Sequence, residues 1–233
     1  MVTQPNQSLA DGIAILGELC ARGNALGTRE LARLMGWEPT RASRLLGTLR
    51  DIGLAEQDAE RRYRPGPGVH LLAAQCLQGS GLLAAALPVM RDLQRTDIGW
   101  ALGVLWKGNV SYLVWTAPGQ AIDEGLYRHA MFPADQSAIG MALEAFTAGT
   151  VPRNPPAVLA ETRRRGWAVR HNPDHTASVA VVIPGPTASS PPVAGLSALV
   201  DVVSHPPKAV AAMLIPAARR IADAMHRIAG QAE

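Results

Sequence analysis

The chain has 233 residues, with 22 Lys and Arg against 19 Asp and Glu, a net charge of +3 and 48% apolar residues; its length fits one large domain or two small ones. No stretch approaches the roughly 18 uninterrupted apolar residues of a membrane helix, and the segment MVTQPNQSLADG has no basic cluster before an apolar core, which reads against a secretory signal. Cys20 and Cys76 fall in apolar helical patterns that suit reduced, buried thiols in a cytoplasmic protein, so composition excludes disulfide scaffolds, collagen-like repeats and wholesale disorder.

The first apolar repeat is Leu9, Ile13, Leu16, Leu19 and Cys20, whose spacing of three and four predicts an amphipathic helix over 8–22. Ser8 is its expected N-cap, and Gly23-Asn24 its stop. Thr28 is the expected cap of a short second helix with Leu31, Leu34 and Met35 as its buried stripe, and Gly36 breaks it. Pro39 suits the first turn of a third helix, running to about Asp51 and burying Ala42, Leu45, Leu46, Leu49 and Ile52, with Gly53 as its stop.

Two short helices around a glycine turn form the helix-turn-helix pattern. Leu54–Gln57, a turn at Asp58-Ala59-Glu60, and Arg61–Arg64 then read as a hairpin with a basic return strand, a wing. Residues 1–68 carry nine Arg and eight acids, so the placement of the Arg matters more than their sum. Thr40, Arg41, Ser43 and Arg44 lie opposite Ala42, Leu45 and Leu46 on the half-helix that enters the major groove in such modules. Arg and Ser/Thr are suitable groups for guanine edges and phosphates. Arg62 and Arg64 alternate with Tyr63, so they should share the outer face of the wing while Tyr63 packs inward. Double-stranded DNA is therefore the expected partner.

Gly66-Pro67-Gly68 marks the end of this domain. The expected organisation is a DNA-binding domain over 1–68, a linker helix over 69–80, and a larger domain over 81–233. In the last, Leu82–Thr96 reads as a helix, and Trp100–Trp106 and Val110–Thr116 as a hairpin turning at Lys107-Gly108-Asn109. Asp135 is the expected cap of a helix containing Ile139, Met141, Leu143 and Phe146; a second helix ends in Arg163-Arg164-Arg165-Gly166. Trp167–Val169, Val179–Ile183 and Val193–Val203 read as strands, Pro184–Pro192 as a loop, and 208–229 as a closing helix. Strands interleaved with helices, and an antiparallel hairpin near the start, give an α+β fold.

The whole chain resembles the IclR family of bacterial transcription regulators. The matching segments include TRELARLMGWEPTRASRLLGTLRDIGLAEQDAERRYRPGPG, FPADQSAIGMALEAF, RRRGWAV and PPVAGLSAL; Arg44-Leu45-Leu46-Gly47-Thr48-Leu49 and Tyr63-Arg64-Pro65-Gly66 carry the family pattern of recognition helix and wing. The resemblance implies a winged helix-turn-helix, a linker helix and a GAF-like effector-binding domain, assembled as a homodimer or homotetramer and acting as a repressor or activator of nearby operons. The implied second partner is a small organic effector, carboxylic or aromatic.

The effector pocket departs from the family. Its small-residue loop is here Asp135–Ala142, with Ala138 and Ile139 at the small pair; the usual acid falls at Arg170 and the usual Cys at Ala180, and of two late Ser positions Ser197 survives while the other is Leu199. Ala138, Ile139, Arg170, Ala180 and Ser197 are thus the candidate ligand contacts. Two readings stay open: Arg170 clamps the carboxylate of a larger acid, or it faces solvent and the domain is a dimerisation or protein-interaction module with a degenerate pocket.

His171-Asn172-Pro173-Asp174-His175 does not read as a metal site, because Asn-Pro prevents the helix that would bring its histidines together. No nucleophile elbow, dinucleotide fingerprint or phosphate loop occurs, so neither an enzyme nor a cofactor is expected.

Overall fold

The computed structural model describes residues 6–149, 151–187 and 189–230, with 127–130 as backbone alone. The chain divides into two compact units, Met1–Gly79 and Ser80–Glu233.

The first unit runs α1 (Gln7–Ala21), β1 (Leu26–Gly27), α2 (Thr28–Met35), α3 (Pro39–Asp51), β2 (Ala55–Gln57), β3 (Arg62–Pro65) and α4 (Pro67–Gly79). The predicted stops of α2 and α3 are left-handed glycines, whereas α1 ends at Arg22 in extended backbone, one residue before Gly23. Gly36 at φ +67° lets Trp37 N donate to Ala32 O at 2.8 Å, and Gly53 at φ +76° lets Leu54 N donate to Leu49 O at 2.8 Å. Pro39 starts α3, and the small sheet has the order β1-β3-β2. Ile15, Leu19, Leu31, Ala42, Leu46, Leu49 and Tyr63 form the core, so Tyr63 does point inward.

Several sequence expectations are corrected here. Asn6, not Ser8, caps α1, its side chain accepting from Leu9 N at 3.1 Å, and Gly27 stands before α2 where Thr28 was expected. The buried face of α1 is Asp11, Ile15 and Leu19, while Leu9 and Ile13 are exposed. The helix is turned so that Asp11 meets α3, and a tertiary ion pair overrides the apolar stripe. Leu34 and Ile52 are exposed rather than buried. Cys20 and Cys76 are also exposed, not buried; α4, which carries Cys76, has no buried residue.

The second unit runs α5 (Leu82–Leu93), β4 (Gly99–Trp106), β5 (Asn109–Trp115), β6 (Leu126–Pro133), α6 (Ala138–Phe146), α7 (Pro156–Arg165), β7 (Ala168–His171), β8 (Thr176–Ile183), β9 (Ala194–Asp201) and α8 (Pro207–Gly230). Its sheet is antiparallel throughout, in the order β6-β5-β4-β9-β8-β7, so the fold is α+β. Alternation divides each strand between two faces. Trp100, Leu102, Val179, Val181, Leu196 and Ala198 pack under α5 and α8. Ala101, Val110, Ala168 and Ala180 face α6 instead.

The edge strand β6 was not expected. It is the run LYRHAMFP, which has no clean apolar-polar alternation, is paired on one side only, and is held there by a partner strand rather than by its own pattern. Asp135 does not cap α6: it lies in a single 3-10 turn, and Ser137 is the cap, its Oγ accepting from Gly140 N at 3.2 Å. Among the described residues no single helix is long and apolar enough to cross a membrane.

Candidate nucleic-acid interface and ligand cup

Burying Ala42, Leu46 and Leu49 leaves Thr40, Arg41, Ser43 and Arg44 exposed on the first two turns of α3. The four are together, but not equivalent. Arg41 forms an ion pair with the buried carboxylate of Asp11 and lies over the Trp37 ring at 4.8 Å. Asp11 also accepts from Gln7 Nε2 at 2.8 Å. Arg41 is thereby a strut from α3 to α1. The side chains of Thr40, Ser43 and Arg44 make no hydrogen bond or ion pair among the described residues, apart from van der Waals packing. Thr40, Arg41 and Arg44 line an open cleft of about 640 Å³ beside the N-terminal end of α1.

On the wing, Arg62 and Arg64 share the outer face as expected, with Tyr63 between them buried. Both guanidinium groups are occupied: Arg64 donates to Glu56 Oε2 at 2.9 and 3.0 Å, and Arg62 stands 3.8 Å from Glu30 Oε2. Arg61, which the motif reading passed over, is exposed at the tip without such a partner among the described residues. Its signal was present in the turn Asp58–Arg61, which has no glycine to make the tight reversal.

In the second unit, α6 covers part of its sheet face, and the uncovered end forms a cup. Its lining includes Ala101, Tyr112, Ala138, Ser178, Ser197 and Leu199, and its volume is about 50 Å³. The register explains the grouping: Ser197 pairs with both Ala101 and Ala180, and Ser178 with both Leu199 and Arg170. Tyr112 Oη and Ser137 Oγ lie 2.7 Å apart at the start of α6. Burial pushes the Tyr112 phenol above its ordinary pKa, opposed by the Ser137 hydrogen bond and by the positive charge of Arg170. Arg170 is half-buried, and its Nη1 donates to Asn172 Oδ1 at 2.6 Å. It therefore stands near enough to Tyr112 to be felt there.

Of the five candidate ligand contacts, Ala138 and Ser197 line the cup and Arg170 neighbours it through Ser178 and Tyr112. Ile139 and Ala180 do not line the cup and are fully buried in the core. Ile139 fills a hollow over Gly195 and Gly103, where a Cβ would lie 2.5 and 3.5 Å from its side chain. The larger residue at the small pair is accommodated by two strand glycines and does not enter the cup.

Residues 8–59, from α1 through the wing turn, match the family model of the IclR helix-turn-helix domain. No curated protein matches the sequence. Among solved structures, an IclR transcriptional regulator from Alicyclobacillus acidocaldarius is similar with a TM-score of 0.69 and 21% identity, covering 95% of this chain and 100% of that one. An IclR family regulator from Brucella abortus gives 0.67 and 20%, covering 99% and 94%. An IclR homolog from Microbacterium hydrocarbonoxydans, complexed with 4-hydroxybenzoate, gives 0.66 and 21%, covering 94% and 99%. The chain thus carries an IclR helix-turn-helix domain and, around it, the fold of IclR-type transcription regulators.

Proposed function

We propose that the protein is a cytoplasmic transcription regulator, without enzymatic activity, that reads operator DNA with α3 and the wing and responds to a small organic acid in its second unit. The observation that carries this reading is the exposed row Thr40, Ser43 and Arg44 on α3, opposite the buried Ala42 and Leu46. Arg44 is suited to a guanine edge and the two hydroxyls to phosphates; Arg41 orients the helix, and Arg62 and Arg64 brace the wing. A second copy of the chain fits this reading, since paired half-sites need an even number of readers. The apolar α4, which has no buried residue and exposes Leu71, Leu72 and Leu77, is a suitable surface for a homodimer or homotetramer.

Fluorescence anisotropy with a duplex from the region upstream of its own gene, against a shuffled duplex and over several salt concentrations, tests the reading. Tight, sequence-preferring binding with a steep negative dependence of log K on log salt is expected. Arg44→Ala should weaken specific binding by about 1–3 kcal/mol. No binding to either duplex at low salt would give the winged helix a protein-contact role.

For the effector, an aromatic acid such as the 4-hydroxybenzoate held by the Microbacterium hydrocarbonoxydans homolog is the first ligand to titrate, with Ala138, Ser197 and Arg170 as its contacts. The volume of about 50 Å³ is far below the roughly 300 Å³ at which ligand pockets begin, so an aromatic acid requires the cup to open. That volume favours a second reading for this unit, a dimerisation module with a degenerate pocket. Calorimetric titration of wild type and Arg170→Gln separates the two: heat of binding lost in the variant supports the clamp, and no heat from either supports the degenerate pocket.

A further inference from the structure

The wing reverses through Asp58-Ala59-Glu60-Arg61. Arg61 N donates to Asp58 O at 3.1 Å, and Asp58 N to Arg62 O at 2.9 Å. The Asp58 carboxylate accepts from Arg62 N at 2.7 Å, and Gln57 Nε2 donates to Arg61 O at 3.2 Å. A four-residue turn whose last residue is left-handed is a bulged hairpin loop, and that position is one that glycine normally fills. Here Arg61 occupies it at φ +59°. A long L side chain is disfavoured there because its Cβ crowds the backbone.

Hydrogen bonds of the turn hold the Arg61 backbone in place, but they do not involve its side chain. Arg61 is exposed, and its guanidinium makes no hydrogen bond or ion pair among the described residues. Lys107, another non-glycine at positive φ (48°), differs in lying over the Trp106 ring at 5.1 Å. The neighbouring wing cations differ as well, Arg62 being next to Glu30 and Arg64 bonded to Glu56. The turn also carries two carboxylates, Asp58, which is bonded to the Arg62 amide, and the exposed Glu60, so the Arg61 guanidinium is the cation of the tip. Strained residues persist where the surrounding structure over-determines them, and they cluster at functional sites.

We infer that Arg61 is the phosphate contact of the wing, a cation held at a glycine position because its side chain reaches the DNA backbone beside the bases that α3 reads, while Arg62 and Arg64 brace the hairpin. The inference rests on the DNA-reading role proposed above and assigns within it a residue that neither the motif nor the family pattern singles out.

Arg61→Gly in the full-length chain separates charge from fold, because glycine is the residue the backbone there prefers. The variant should keep a thermal midpoint at or above that of the wild type. Its affinity for the upstream duplex should nevertheless fall about 3- to 10-fold, and the slope of log K against log salt should become shallower by about 0.9 for each half-site. Arg61→Lys, which keeps the charge, should retain most of the affinity. Wild-type affinity and salt slope in Arg61→Gly, with the wild type itself binding in a salt-dependent way, would overturn the assignment. Failure of the wild type to bind any duplex at low salt would overturn the DNA-reading role, and this inference with it.

Discussion

The two units place their chemistry oppositely. The first has a small core of α1, α2, α3 and the wing, and turns its polar side chains outward, where Arg44 and Arg61 project beside Arg41, Arg62 and Arg64 that are held by carboxylates. The second buries a six-stranded sheet under helices on both faces and places Tyr112, Ser178 and Ser197 around a cup of about 50 Å³. A surface reader needs a rigid helix with the right residues facing out, and helix periodicity alone specifies that. A cup is assembled by strand register between residues distant in sequence, so its content depends on pairings such as Ser197 with Ala180 and Ala101.

The sharpest way to break the comparison is to damage one unit and ask whether the other responds. A Cβ at Gly140 would overlap the backbone of Ala134, where neither main chain can yield easily. Gly140→Ala should cost about 3 kcal/mol, the upper end for an overpacked site. On a unit of this size that corresponds to a fall of roughly 6–12 °C in its calorimetric transition. At 20 °C the variant should bind the upstream duplex within about twofold of the wild type. If DNA affinity collapses together with the second transition, the units are not separable.

The next effect lies within the first unit. Arg41→Ala removes the guanidinium paired with the buried Asp11 carboxylate, which keeps its bond from Gln7. Because Arg41 is itself about half exposed, the loss should be about 2 kcal/mol, below the figure for a fully buried pair. Arg44→Ala should leave stability within about 0.5 kcal/mol, as for ordinary surface changes, while weakening DNA binding. Urea unfolding of both variants beside their affinities distinguishes strut from reader; equal stabilities would remove the distinction.

The same contrast decides what was legible in the sequence. Gly36, Pro39, Gly53 and the alternation Arg62-Tyr63-Arg64 are local signals, and each placed its element correctly. The rotation of α1 was not local: Leu9 and Ile13 look like core residues until Asp11 pairs with Arg41, thirty residues away. In the second unit β4, β5, β8, β9 and α8 were legible from apolar runs. The edge strand β6 was not, because its order comes from β5. Ile139 was misread for a related reason. A bulky residue at a small-residue position suggests a filled pocket, but Gly103 and Gly195 lie on other strands and take up its side chain. Arg61 escaped notice because a basic wing is recognised by its strand, whereas the strain at its tip is a backbone angle.

A smaller effect concerns the cap of α6. Ser137→Ala removes an acceptor from Gly140 N and should cost about 1 kcal/mol. It also removes the hydrogen bond that opposes the burial of the Tyr112 phenol. In the same way the charge of Arg170 favours the tyrosinate, so Arg170→Gln should move the Tyr112 pKa further up with little change in stability, since Arg170 is half-exposed at an edge strand. The sign follows from the neutral form being the one that burial favours. The folded unit holds this proton more tightly than the unfolded chain does. Its contribution to stability is full below the ordinary tyrosine pKa of about 10 and is lost as the pH rises through the raised folded value. Ultraviolet titration of tyrosinate, with Tyr112→Phe to assign the signal among Tyr63, Tyr112 and Tyr127, measures the shift. An upward move in Arg170→Gln fits a guanidinium turned toward the cup and available to an acid. An unmoved Tyr112 titration would turn Arg170 to solvent and leave the second unit as a module that pairs chains without reading a ligand.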